Sequence, residues 1–150
     1  MPSGTKEVTL NVPIEHVWNF VSNMNNWAPL VPGYINHEII NDKESTWTFK
    51  GDLGIVHKKV HLKVIITKWE KPNEVTFDLK GLSEKFTGSG AFSAKAINAA
   101  QTEMTGHLDI KAGGMMGPVI NPALKSFVPK MTSELTEAIA QEITNRESFS

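Results

Sequence analysis

Between Lys6 and Val12 the chain alternates, with Val8, Leu10 and Val12 on one side and Glu7, Thr9 and Asn11 on the other. That period of two predicts a strand with one buried face. Pro13 ends it and suits a first helical turn. Ile14, Val17, Trp18 and Val21 follow at helical spacing, and a second short helix is expected over Asn23 to Leu30, carrying Met24, Trp27 and Leu30. Pro32-Gly33 closes it with a turn. From Tyr34 the pattern is one of strands and hairpins. Ile35–Ile40 and Ser45–Leu53 flank a turn at Asn41-Asp42-Lys43, and Gly51 to Gly54 forms the next turn. A long strand, Val56 to Trp69, places Val56, Val60, Leu62, Val64 and Ile66 on one face and His57, Lys59, His61, Lys63 and Thr67 on the other. After a turn at Lys71-Pro72-Asn73, Val75, Phe77 and Leu79 alternate with polar residues, as do Phe86 to Ala96 and Met104 to Ile110.

Beyond Gly113-Gly114 the period changes to that of a helix. Ile120, Leu124, Phe127, Val128, Met131, Leu135, Ile139 and Ile143 recur at steps of mostly three and four within Gly117 to Arg146. They form one apolar stripe that needs a surface to cover. Asn121 before Pro122 reads as a helix cap. Pro129 removes a backbone bond and is expected to kink or restart the helix.

The order is thus strand, two short helices, six strands in a meander and a long helix. Hairpin-length links imply antiparallel pairing, and half-apolar strands need a cover on one side. The expected fold class is α+β, a curved antiparallel sheet against a long C-terminal helix, in one domain over residues 1–150. The inward face of the sheet carries Trp47, Phe49, Phe77, Phe86, Phe92 and Met104 beside Gly51, Gly81, Gly88, Gly90 and Gly106. Large aromatics next to bare backbone fit a bent sheet, either enclosing an apolar cavity or filled by the helix.

Composition narrows the function. The formal charge of −1 is spread over 15 basic and 16 acidic residues, which argues against a nucleic-acid partner. The chain has no cysteine, so disulfides, thiolate metal sites and a cysteine nucleophile are excluded, and a reducing, cytoplasmic setting is expected. Met1 to Lys6 shows no signal region and no apolar run is long enough to span a membrane.

Candidate chemistry is sparse. His57 and His61 share a strand face but stand roughly 13 Å apart, too far for one metal ion. His107 falls on a polar face, and neither His16 on the first helix nor His37 on the second strand has a second metal ligand at useful spacing. Glu84 or Asp109 would serve as a general acid or base only if turned inward, and alternation points Asp109 to water. No metal or cofactor is expected. Trp27 sits in the short helix that would close one end of the curved sheet, Trp47 is core or lining, and Trp69 is expected at an edge on the polar face. Met115-Met116, in a Gly-Gly-Met-Met-Gly turn, suits an adaptable mouth over a ligand, or a mobile loop with one methionine tucked into the core. Lys58 falls among inward residues, at an open strand end, at a bulge or against a ligand head.

The ordered set Val12-Pro13, Val17-Trp18, Pro32-Gly33, Gly88 and Gly90 with Ala94, and Gly113-Gly114 resembles the helix-grip superfamily of START domains, polyketide cyclases and Bet v 1-like proteins. Within it, the chain is most similar to the CoxG family, associated with carbon monoxide dehydrogenase. The resemblance implies a seven-stranded antiparallel sheet around the C-terminal helix and a cavity that takes an apolar ligand. Some CoxG proteins carry an apolar C-terminal anchor. This chain stops at Ser150, soon after the helix, so a stand-alone relative is expected.

The expected function is binding or transport of an apolar small molecule of lipid, quinone or polycyclic type. The expected ligand-binding residues are Trp27, Trp47, Phe49, Phe77, Phe86, Gly88, Gly90, Phe92, Met104, Leu108, Met115, Met116, Phe127 and Met131. On this reading a bulky residue at Gly88 or Gly90 removes binding and leaves the fold. Two alternatives stand beside it. One is an accessory protein docking on a redox-enzyme partner, and the other is a cyclase- or hydrolase-type enzyme, which needs a polar group facing the cavity.

Overall fold

The computed structural model describes residues 2–52, 57–82, 85–115 and 117–148. The first alternating segment forms β1 (Ser3–Leu10), which begins and ends earlier than the pattern predicts. Pro13 then leads into α1 (Ile14–Val21), whose Val17, Trp18, Phe20 and Val21 are buried. Asn23 caps α2 (Met24–Trp27) by accepting a hydrogen bond from the Asn25 amide, and a 3-10 turn over Ala28–Leu30 follows. Six strands come next: β2 (Tyr34–Ile39), β3 (Glu44–Asp52), β4 (His57–Glu70), β5 (Glu74–Gly81), β6 (Phe86–Asn98) and β7 (Gln101–Ala112). The chain ends in α3 (Gly117–Ser148).

The seven strands make one antiparallel sheet in the order β1-β7-β6-β5-β4-β3-β2. The meander returns β7 to the first strand, so β1 and β2 are the two edges. Helix α3 packs on β1 and β7. Two glycines make that contact close. A Cβ built on Gly4 of β1 would lie 2.6 Å from Pro129 Cα, and one on Gly106 of β7 would run into Thr136 Oγ1. The helix therefore lies nearly on the strand backbone there. Arg146, near its end, stacks over Phe20 of α1 at 4.8 Å and joins the two helices.

Three expectations need correction. Asn121 is not the cap of α3, which starts at Gly117. Its side chain accepts from the Ala112 amide at 2.8 Å and donates to the Ala112 carbonyl at 3.0 Å, so it mimics a strand neighbour and ties the helix to the end of β7. Nor does Pro129 restart the helix, which runs through both Pro122 and Pro129 as one element. Trp69 is not an edge residue of the polar face. A register shift between Ile66 and Lys68 turns β4 over, because one extra residue reverses the period-two alternation. Trp69 then packs edge-on against Trp18, with ring centroids 6.4 Å apart.

Candidate functional site

The inward face of the sheet is apolar because the alternation holds through its centre. Val60, Leu62, Val64 and Ile66 of β4 are all buried, as are Trp47 and Phe49 of β3. Helix α3 covers the β1–β7 side, and between its first half and the strands β3 to β5 a hollow remains. It has two adjoining lobes of about 40 Å³ each. The first lies among Val60, Phe86, Leu124 and Phe127, and the second among Trp27, Trp47, Phe77, Leu108 and Leu135. Both touch Phe49, Leu62, Leu79, Ile110 and Met131, so one wall is common to them. Leu79 and Phe127 are half-buried and form the rim of the first lobe. A pocket for a drug-sized ligand usually measures about 300–1,000 Å³. The grip is therefore closed down, and its lobes are apolar enough to stay dry.

Of the residues expected to bind ligand, Trp27, Trp47, Phe49, Phe77, Phe86, Leu108, Phe127 and Met131 come together around the two lobes. Trp27 is the hub of the second. Its indole N–H donates to the Val21 carbonyl at 3.1 Å, and its ring lies 5.2 Å from Trp47, 5.6 Å from Phe77 and 5.0 Å from Phe92. Phe92 and Met104 lie outside the lobes and pack with Val17, Trp18 and Val21 of α1. Met115 is 96% exposed and lines neither lobe. Met116, Val56, Gly54 and Glu84, with the side chains of His57 and Lys58, lie outside the described residues.

Gly88 and Gly90 do not leave open room. A Cβ at Gly88 would strike the backbone carbonyl of Asp109, and one at Gly90 would lie 2.5 Å from Phe77 Cζ and 2.7 Å from Leu108 Cδ2. These glycines let neighbouring groups close in. A bulky residue at either position disturbs the sheet or its packing as well as the hollow, contrary to the expectation from sequence.

Two polar constellations escaped the sequence analysis because each is made by strand register. The first is on the outer face. Pairing of Thr5 with His107 across β1 and β7 lets Thr5 Oγ1 meet His107 Nδ1 at 2.7 Å, while His107 Nε2 meets Asp109 Oδ2 at 2.8 Å. The sheet separates this row from the hollow.

The second is on the inner face. Residues three apart in a regular strand point to opposite sides. In β2 a register shift between Tyr34 and Asn36 restores Tyr34 and His37 to one side. Tyr34 pairs with Phe49 and His37 with Trp47, so both look toward the hollow side. The Val31–Tyr34 turn, closed by Tyr34 N–H to Val31 O at 3.0 Å and permitted by Gly33 at φ 82°, sets Tyr34 at the strand's start. The Tyr34 hydroxyl then meets His37 Nδ1 at 2.6 Å, and His37 Nε2 meets Asn25 Oδ1 of α2 at 2.6 Å. Asn25 Oδ1 can only accept, so Nε2 carries the proton and Nδ1 accepts from Tyr34. Burial holds the imidazole below the usual histidine pKa, which favours its neutral form. The one signal in the sequence was Tyr34 close before His37, and without the shift that spacing argues against a contact.

Among the described residues no group of three His, Asp or Glu side chains is placed to hold a metal ion, and no helix is long and apolar enough to cross a membrane.

Comparison with known proteins places this geometry. One family model matches residues 1–147, nearly the whole chain. No curated protein matches the sequence. Among solved structures, the chain is similar to a conserved protein from Geobacillus kaustophilus, with a TM-score of 0.80, 17% identity and 95% of each chain covered. It is similar also to a START superfamily protein from Mycobacterium smegmatis, with a TM-score of 0.75, 16% identity and 99% of each chain covered. A third is the Zhui aromatase/cyclase from Streptomyces sp. R1128, with a TM-score of 0.71, 15% identity, and 96% of this chain and 94% of that one covered. At these identities the likeness is one of fold.

Proposed function

We propose that this chain, whose fold is similar to that of START-superfamily and aromatase/cyclase structures, binds an apolar small molecule, of lipid, quinone or polycyclic type, between the sheet and α3. The observation that carries this reading is the shared wall of Phe49, Leu62, Leu79, Ile110 and Met131, which sets two apolar lobes side by side between the sheet and α3. Aromatic side chains from five different elements converge there, and the half-buried Phe127 and Leu79 stand where a ligand would enter. Burying about 300 Å² of ligand surface at about 25 cal/mol per Å² gives about 7–8 kcal/mol of driving force. Part of it is spent on widening the grip and ordering the ligand. The CoxG branch rests on sequence resemblance alone, and docking on a redox enzyme has no counterpart in the geometry of the hollow.

Native mass spectrometry of freshly purified protein tests the proposal. The expected result is extra mass that disappears on denaturation, or, for a clean protein, 1:1 uptake of an apolar fluorescent probe. A clean mass together with no uptake would overturn it.

A further inference from the structure

Lysines that are scattered along the sequence meet on the outer face of the sheet, turned away from α3. Strand pairing sets Lys50 of β3 directly opposite Lys59 of β4, and Lys63 of β4 directly opposite Lys80 of β5. Lys80 aligns in turn with Thr87 of β6, and Thr87 with Lys111 of β7, so this second row crosses the sheet. Leu82 follows Lys80 on the same face by the alternation of β5. Its N–H donates to the His61 carbonyl at 2.8 Å, which holds it against β4 between the two rows, and it is 54% exposed. Lys85 closes this end of the face. Its carbonyl accepts from the Gly113 N–H at 2.6 Å, and its side chain runs past Gly114, where a Cβ would stand 2.9 Å from Lys85 Cδ. The next residue, Met115, is 96% exposed.

Like charges directly opposite each other on a sheet are destabilising, and here the chain leaves most of them unneutralised. Glu44 takes Lys63 at 2.7 Å. Lys50, Lys59, Lys80, Lys85 and Lys111 are exposed, and among the described residues none of them is in an ion pair. The next row of the face carries Asp78 and Asp109, both aligned with Ser89, and Asp109 is held by His107. The formal charge of the whole chain is −1, so the remaining surface is net negative and the molecule is polarised toward this end. We propose that this face docks on an anionic lipid bilayer, with the lysine ammonium groups on the headgroups and Leu82 and Met115 entering the interface. The apolar side chains favour a bilayer over a soluble polyanion. A nucleic acid or an acidic chain matches the charges but offers little for a leucine in their midst to bury against, whereas the long lysine stems reach headgroups as the leucine sinks. The proposal does not rest on what the hollow binds.

Vesicle sedimentation tests it, with phosphatidylcholine alone and with phosphatidylcholine mixed with phosphatidylserine. The protein should sediment only with the mixed vesicles, and less so as salt is raised and screening shortens the reach of surface charge. Each lysine near an anionic surface strengthens binding about fivefold, so the triple variant Lys59→Gln, Lys80→Gln and Lys111→Gln should bind about a hundredfold more weakly. Its thermal midpoint should be no lower than that of wild type, because two like-charge pairs are relieved. A binding loss from misfolding is thereby told apart. Lys43→Gln, Lys71→Gln and Lys95→Gln together change the net charge equally at the opposite end of the sheet, and this control should bind like wild type. Leu82→Ser should weaken vesicle binding about tenfold. The inference is overturned by no binding to the mixed vesicles, by equal binding to phosphatidylcholine alone, or by a patch variant that binds as well as the control. It is overturned also by unchanged binding of Leu82→Ser, which would assign the face to a soluble polyanion.

Discussion

Phe77 occupies the space that a side chain on Gly90 would need. The two residues are paired across β5 and β6, and a Cβ on Gly90 would fall 2.5 Å from Cζ of the ring. Phe77 is 3% exposed and lines the second lobe, so the absence of a side chain at residue 90 sets how far the ring can retreat from the hollow. Gly90→Ala should push Phe77 and Leu108 toward Trp27. Overpacking of this kind costs about 1–3 kcal/mol. Chemical denaturation should show that loss, uptake of an apolar dye should weaken, and Phe77→Leu in the same chain should recover both. Unchanged stability and uptake in Gly90→Ala would contradict this account of the wall.

The Asn121 clamp makes a separate prediction. Asn121→Leu leaves the Ala112 N–H and C=O, both previously paired with one side chain, without that partner. A stability loss of about 1–3 kcal/mol is expected for such orphaned groups. Hydrogen exchange at the Ala112 amide should accelerate in the variant, and equal protection would show that another group holds this corner.

Thr136 gives a prediction of the opposite sign. Its hydroxyl is fully buried against Gly106 and has no hydrogen-bond partner among the described residues. By contrast, Thr132, one turn earlier, donates to the Val128 carbonyl at 2.7 Å. Thr136→Val keeps the shape and removes an unsatisfied polar atom, so it should stabilise the fold by about 1 kcal/mol. A lower thermal midpoint in the variant would mean that the hydroxyl has a partner after all.

Stability should also respond to pH at the outer face of β1 and β7. A side-chain hydrogen bond with Glu103, and then charge repulsion from it, holds the Glu7 carboxyl above its ordinary pKa. The folded state thus binds a proton more readily than the unfolded chain does. The resulting stabilisation is present below the ordinary carboxyl value and is lost as pH rises through the raised value. Glu7→Gln removes the charge repulsion. It should be more stable than wild type at neutral pH, with the difference narrowing in acid. A difference that stays constant across that range would refute the shared proton.

The order of elements was legible in the sequence because two periods rarely mimic each other. Val60, Leu62, Val64 and Ile66 at steps of two, and Leu124, Met131, Leu135 and Ile139 at helical steps, are buried as their spacing requires. The aromatic members of the hollow, Trp27, Trp47, Phe49, Phe77 and Phe86, were legible for the same reason: large apolar residues on an inward face have nowhere else to go. What tertiary structure alone decided was register and close approach. The shift in β4 brought Trp69 onto Trp18, and the shift in β2 put Tyr34 and His37 on one face. Each is a single extra residue that reverses a period-two pattern without leaving a mark in composition. The glycines were ambiguous for a different reason. Bare backbone at Gly90 and Gly106 reads equally as a void or as a place for a neighbour, and the neighbours, Phe77 from the next strand and Thr136 from α3, are set by packing between distant segments.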